Sequence, residues 1–412
     1  RDNIYLDHDS VLLGFSREMP GGVLEVLRDD DRSAAYQAAL DAFEKGDLKT
    51  GSDLLNDTSL DDYMPARALR VLLTAQGINQ HADKAAARAE LSQLAASEDP
   101  VALTIAGYVL IAAAENNRDL VDGTRWMLKA AEADHPFAQL VVGQAYVLGR
   151  GFERYYVTGM SWLKLAAEGG VAFGQKLYGL LKLGAPGTET AHRDAIEWLK
   201  QATQHEDPDA LYALAELHQL GKYFDADPAM AHQLFRRARA AYLPLARSGN
   251  AHAQEQLGSM YHGGLGGAVD YSAAYESFLA AAEQGRARAQ ASIGSMYDFA
   301  RLGARDAHKA VQWYQLAARQ GHLQAMVNLG VAYFHGEGIE RDVAKTIKWY
   351  TAADEGGAPN GQLFLGIKYL QGVGVERDLT QARHWLERTA HSGYHVAQAV
   401  LCDELASGTN FE

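Results

Sequence analysis

Residues 325–357 read AMVNLGVAYFHGEGIERDVAKTIKWYTAADEGG. Ala325, Leu329, Gly330 and Tyr333 recur at helical spacing on one face. HGEGIERD then interrupts the pattern with two glycines. A second helical pattern starts at Val343 and places Ala344, Ile347, Trp349 or Tyr350, and Ala353 on its inner side. Gly357 stops it, as Gly285, Gly321 and Gly393 do in the same register elsewhere. The stretch is one helix, a glycine turn and a second helix.

The unit recurs along the chain. A small residue marks each first helix at Gly107, Gly143, Gly179, Ala215, Gly258, Gly294, Gly330 and Gly366. The steps are all 36 residues except one of 43, between Ala215 and Gly258. Extended by one step each way, the ladder reaches Val71 and Cys402. All six tryptophans (Trp126, Trp162, Trp198, Trp313, Trp349 and Trp385) share a second position, held by Leu234 and Ser277 in between. Both ladders place one 7-residue insertion in the same unit. Glycine at a helix crossing allows close backbone approach, and Tyr146, Tyr261, Tyr297, Tyr333 and Tyr369 are expected to fill the space beside it. The tryptophan ladder is expected in the core, so that Trp349→Ala costs about 3–5 kcal/mol. One helix pair cannot bury its apolar face alone, but stacked pairs build a continuous core.

A third ladder is acidic. Asp227, Asp270, Asp306, Asp342 and Asp378 each precede a second helix, with Pro228 following the first of them. Aspartate there accepts hydrogen bonds from the free N–H groups of the first turn, and proline suits the first helical position. These carboxylates are read as caps, not catalysts.

The remaining composition narrows the function classes. The chain has 412 residues and a net charge of −14, which disfavours nucleic acid and anionic lipid as partners. Val101 to Ala114 is the longest apolar stretch, too short to cross a bilayer, and is assigned to a core helix. A single cysteine, Cys402, excludes an intramolecular disulfide and falls in the small-residue slot as a core residue. The sequence starts at Arg1, as it would after removal of a secretory signal or after trimming.

Residues 325–357, and GQLFLGIKYLQGVGVERDLTQARHWLERTAHSG at 361–393, resemble the Sel-one-like repeat (SLR) family, a branch of the tetratricopeptide-like α-solenoids. The resemblance is strongest over residues 253–396, thinner over 102–250, and covers about three quarters of the chain. It implies an all-α, right-handed superhelical solenoid of about nine to ten helix-turn-helix repeats of 36 residues. It also implies scaffold or adaptor roles, often in bacterial cell envelopes. Some members carry a disulfide in each repeat, which this chain cannot form.

Organisation follows from where the period holds. Residues 1–33, with a turn at Pro20-Gly21-Gly22, form an N-terminal cap or strap, with a docking segment as the alternative. Residues 34–65 hold a tetratricopeptide-like helix pair turning at Gly46-Asp47. Residues 66–396 form the solenoid, with the insertion near 243–250, and 397–412 a C-terminal capping helix. The insertion lengthens one second helix and puts Pro244 in it, where a bend is expected. Arg236, Arg237, Arg239 and Arg247 make it the most basic stretch, read as solvated charge on that bend or as a contact for an anion or partner.

No catalytic, metal or cofactor site emerges. HExxH, GxSxG, Walker and paired CxxC patterns are absent. GGLGG at 263–267 occupies the inter-helix turn and not a phosphate loop. His384, His391 and His395 straddle a helix stop, and His8 lies between Asp7 and Asp9. Asp29-Asp30-Asp31 and Asp61-Asp62 lack apolar surroundings that would shift a pKa.

What remains is a surface. First helices line the concave face of tetratricopeptide-like solenoids. The residues assigned to that groove are Tyr212, Glu216, Gln219, Glu255, Ser259, His262, Ser295, Asp298, Asn328 and His335, with Leu140, Leu180, Val331 and Ile367 as apolar flanks. Replacing a groove residue such as Glu255 is expected to leave stability nearly unchanged. The expected function is a non-catalytic scaffold or adaptor holding a protein or peptide of basic or amphipathic character, because −14 favours positive surfaces. A glycan is the other ligand class. The alternatives are a cell-envelope scaffold for polysaccharide assembly or export and, more remotely, a cell-wall hydrolase. The first resembles alginate-export solenoid lipoproteins, whose lipid-bearing N-terminal cysteine has no counterpart here. For the second, Ser16, Ser33 and Ser52 each lack lysine at the third following position. The resemblance favours a periplasmic or secreted bacterial location, with the cytoplasm as alternative.

Overall fold

A computed structural model describes residues 34–44, 48–56, 58–60, 66–67, 69–71, 84–112, 117–358, 360–391 and 398–401. The proposed strap at 1–33, the Gly46-Asp47 turn, Asp61-Asp62, Gly393, His395, Cys402 and most of the C-terminal capping helix lie outside them. Every regular element among the described residues is helical. The chain divides into two compact units, Arg1–Leu234 and Phe235–Glu412.

The first unit contains α1 (Ala34–Glu44), α2 (Leu48–Leu55), α3 (Lys84–Ala96), α4 (Pro100–Ala112), α5 (Asn117–Glu132), α6 (Pro136–Leu148), α7 (Tyr156–Glu168), α8 (Ala172–Gly184), α9 (Glu189–Gln204) and α10 (Pro208–Leu220). Helix α11 (Pro228–Arg247) crosses the division. The second unit continues with α12 (Ala251–Gly263), α13 (Tyr271–Glu283), α14 (Ala287–Asp298), α15 (Ala307–Arg319), α16 (Leu323–His335), α17 (Val343–Glu355), α18 (Asn360–Gln371) and α19 (Leu379–His391). Consecutive helices pack as pairs, α6 on α7, α8 on α9, α12 on α13, and so on. Helix α4 carries the apolar stretch from Val101 and is core. The insertion makes α11 20 residues long where most second helices have 13, and the helix runs through Pro244.

The aspartate ladder caps as its spacing requires. Asp227, Asp270, Asp306, Asp342 and Asp378 each accept, through Oδ1, the backbone N–H three residues on, at 2.9–3.0 Å. Those N–H groups hold Asp306 and Asp342 below the usual carboxylate range. A parallel ladder caps the first helices: Asp99, His135, Asp207, Asn250 and His322 accept from Ala102, Ala138, Ala210, Ala253 and Ala325.

His135 makes its cap only while neutral, because Nδ1 must accept the Ala138 N–H at 3.3 Å. Burial pushes its pKa down to about 4, opposed by the nearby Asp99 charge. On acidification the unfolded chain binds this proton near pH 6.5, before the folded one does. Stability is therefore complete above pH 6.5 and falls as pH drops towards 4, by about 3 kcal/mol at about 1.4 kcal/mol per unit. Denaturant titrations at pH 7 and 4.5 should show His135→Asn, which keeps a cap, losing less stability than the wild type.

The small-residue ladder is a steric requirement. A Cβ on Gly330 would lie 2.2 Å from Cε1 of Tyr350, and one on Gly294 would lie 2.7 Å from the Tyr314 ring. The equivalent neighbours are Leu163 for Gly143, Leu199 for Gly179, Phe278 for Gly258 and Leu386 for Gly366. The side chain against each small residue is thus the one following the tryptophan position, not the tyrosine of the first helix. Tyr314 and Tyr350 are fully buried, whereas Trp126, Trp162, Trp198, Trp313 and Trp349 are half-buried and only Trp385 is buried. The tryptophans flank the core.

Repeats also meet through buried charge. Lys176 on α8 is 4% exposed and pairs with Asp207 at 3.1 Å and Asp209 at 2.8 Å, with Nζ over the Phe173 ring. Burial opposes its charge, but the two carboxylates outweigh that and hold it above the usual lysine range. In the second unit Glu255, at the same repeat position, is 0% exposed. Arg286 grips it at 3.0 and 3.2 Å, and Arg288 lies 3.9 Å away. Residues 207 and 209 correspond by register to 286 and 288. The two bridges are one arrangement with its charges reversed. Glu255 is therefore not a groove residue: its slot holds buried Leu140, Lys176 and Ala291 in other repeats.

Candidate partner-binding face

In the second unit, the first helices α12, α14, α16 and α18 present the residues expected to bind. Ser259 is half-buried and donates to the Glu255 carbonyl at 3.2 Å on its own helix. The His262 ring packs edge-on to Tyr271 at 5.4 Å, and burial followed by the Arg301 charge lowers its pKa. Arg305 holds Oδ1 of Asp298 at 3.0 and 2.8 Å and also pairs with Glu337 of the next repeat. His335 is exposed beside Phe334 and Phe364. In the first unit, Tyr212 and Glu216 on α10 are half-buried and engaged, and Gln219 is exposed. Leu140 and Leu180 are buried core residues rather than flanks of a groove, while Val331 and Ile367 are half-buried.

Ser295, Asp298 and Asn328 converge on one point. The Tyr314 side chain rises from α15, 2% exposed, with its hydroxyl near all three. That hydroxyl makes no bond of hydrogen-bonding geometry. Burial and then the Asp298 charge raise its pKa above the ordinary phenol range. Asn328 accepts from Gln324 through its Oδ1 at 2.9 Å. The sequence reading assigned Ser295, Asp298 and Asn328 to this face but not Tyr314. Its signal was a hydroxyl at 314 and 350 where the equivalent position 278 has phenylalanine.

Other readings are answered locally. Gly264 ends α12 in the left-handed region and Gly266 packs on Phe235 and Arg236, so GGLGG is a turn. Arg305, Arg341 and Arg377 donate through Nε to the carbonyls of Asp298, Phe334 and Leu370 at 3.0–3.1 Å, tying each turn to its first helix. Arg239 stacks on Tyr261 at 4.0 Å. Serine and lysine three apart do occur at Ser161 and Lys164, but Ser161 donates to Val157 and Lys164 pairs with Glu168 at 3.0 Å. Among the described residues no cluster of metal-ligating side chains occurs. No helix there is long and apolar enough to cross a membrane.

The Sel1 repeat model matches residues 117–135, 136–171, 175–207, 208–241, 251–285, 287–322, 323–356 and 359–394, well over half the chain. The chain belongs to the Sel1 repeat family. From 136 on, most of these segments begin at or near the start of a first helix and so coincide with the packed helix pairs. Among solved structures, this Sel1 repeat protein is similar to c5321, a protective antigen present in uropathogenic Escherichia coli strains displaying an SLR fold. The identity is 27%, covering 93% of this chain and 83% of that one, with a TM-score of 0.54. A Sel1 repeat protein from Oxalobacter formigenes matches at 25% identity over 78% of this chain and 92% of its own, with a TM-score of 0.46. No curated protein sequence matches the chain. Sel1 repeats generally mediate protein–protein interaction and are typically non-catalytic.

Proposed function

We propose that this Sel1 repeat protein is a scaffold or adaptor that holds a partner protein or peptide against the first-helix face of its second unit. The clustering of half-buried Ser295, Asp298 and Asn328 on α14 and α16, around the buried Tyr314 hydroxyl, carries the reading. Half-buried Val331 and Ile367 beside them supply apolar area. The chain's −14 charge favours a basic or amphipathic partner. Ser259, His262 and His335 extend the same face of the second unit, and Tyr212, Glu216 and Gln219 lie on the first-helix face of the first unit. Residues 66–396 act as the repeat array, and a periplasmic or secreted bacterial location fits the partner class.

The test is crosslinking and mass spectrometry from the source cell, comparing wild type with Ser295→Arg/Asn328→Arg. Both positions are half-buried surface sites, so melting should move by no more than a few degrees. A partner held by the wild type and lost from the folded variant supports the reading. A partner retained by the variant refutes it.

A further inference from the structure

One turn of the second unit breaks the pattern of its neighbours. Helices α12, α16 and α18 are each followed by two glycines in the left-handed region, Gly264 and Gly266, Gly336 and Gly338, Gly372 and Gly374, at φ of 67° to 78°. The second glycine of each pair tucks against the repeat before it. A Cβ on Gly338 would strike the Ala307 carbonyl, and one on Gly374 would lie 2.7 Å from the Phe334 ring. After α14 the same two positions hold Ala300 and Leu302. Ala300 keeps the left-handed backbone, at φ 56°, a conformation that costs any residue with a Cβ. Leu302 cannot tuck as glycine does, and packs with Tyr271 at the edge of the α13–α14 core.

Phe299 opens this turn and is 65% exposed, more than any other aromatic among the described residues. Gly263, His335 and Gln371 stand at its position in the regular turns. The first unit shows the same association. In the turn after α10, Tyr223 replaces the second glycine at φ 73°, and Leu220, at the Phe299 position, is 63% exposed. A single exposed apolar side chain is ordinary. Here it comes with two replaced glycines and an uncommitted cation. Arg301 is exposed, lies over the Tyr271 ring at 5.3 Å, and makes no ion pair among the described residues. His262 packs edge-on to the same ring at 5.4 Å. The nearby Arg305 is already held by Asp298 and Glu337. Phe299 follows Asp298 directly, so this apolar and cationic pair lies at the end of the polar cluster on the first-helix face.

Resting on the face proposed above, we infer that the turn at 299–304 is its anchor, and that it takes an amphipathic segment of the partner carrying a large apolar residue and an aspartate or glutamate. The apolar side chain covers Phe299, and the carboxylate meets the Arg301 guanidinium beside Tyr271. Phe299 supplies the apolar contact area and Arg301 the selection for an acidic flank.

Random 16-residue peptides displayed on phage would be selected against the full chain, then synthesised with a fluorophore and titrated by anisotropy. Peptides combining a large apolar residue with Asp or Glu are expected. Phe299→Ala should weaken them about tenfold or more. Because the side chain is mostly exposed, its melting temperature should stay within a few degrees of the wild type. Arg301→Gln should weaken them about two- to fivefold. Replacing the peptide carboxylate by its amide should cost affinity for the wild type and none for Arg301→Gln, which ties the two charges together. Failure to recover such peptides overturns the inference, as does binding indifferent to Phe299→Ala. An equal loss from the peptide amide on wild type and Arg301→Gln removes Arg301 as its contact and overturns the acidic selection. If Ser295→Arg/Asn328→Arg abolishes binding while Phe299→Ala leaves it unchanged, the face reading survives and the anchor falls. If Phe299→Ala alone abolishes it, the anchor stands and the polar cluster is not part of the surface. If neither variant affects binding, both fall.

Discussion

Glu255→Ala is expected to destabilise the second unit by about 3–5 kcal/mol, the range for breaking a buried ion pair by removing one partner. The carboxylate is fully buried and receives two hydrogen bonds from Arg286, whose side chain is only 18% exposed. Alanine leaves that guanidinium facing a void where the carboxylate was. Equilibrium urea unfolding, read separately at tryptophan fluorescence and far-UV ellipticity, measures the loss. A change below about 1 kcal/mol would mean that solvent reaches the pair and screens it. The rescue is specific. Glu255→Lys combined with Arg286→Asp and Arg288→Asp copies the Lys176, Asp207 and Asp209 arrangement of the first unit. It should recover most of the lost stability, whereas Glu255→Lys alone should be worse than alanine, because it sets three cations together.

Tyr350→Ala is the second large effect, expected at about 3–5 kcal/mol, the range for truncating a fully buried aromatic. Its ring fills the space that Gly330 and Gly361 leave open and packs on Phe364 and Leu365. Trp349→Ala, one residue earlier, should cost clearly less, because the indole is half-buried against the edge of the core. Thermal melts of the two variants side by side decide between them. A larger loss at Trp349 would restore the tryptophan ladder to the core.

The repeat itself was legible because it rests on backbone requirements. Glycine at positions such as 294 and 330 and aspartate caps at 306 and 342 recur where no other residue serves as well. The resemblance carried by 325–357 and 361–393 pointed to the family that the repeat matches then showed. Side-chain depth was less legible. Trp349 and Tyr350 are adjacent apolar aromatics, and a rotation of 100° per residue separates a core position from its rim. Glu255 was misplaced for a related reason. A carboxylate reads as surface until its partner is known, and Arg286 lies 31 residues away in the next repeat. The first-helix caps escaped notice because that ladder mixes Asp, His and Asn, which share an acceptor atom rather than an identity. Tyr314 was missed because a buried phenol in a repeat looks like packing, and only the polar company of Ser295, Asp298 and Asn328 around its hydroxyl distinguishes it.

The central claim is that the first-helix face of the second unit is the working surface. A photo-crosslinking amino acid placed at Asn328 on that face, or at exposed Lys348 on the second helix α17, tests it directly in the source cell. A discrete crosslinked partner from position 328 and none from 348 is the expected result. Crosslinking from 348 alone would put the working surface on the second helices and contradict the account.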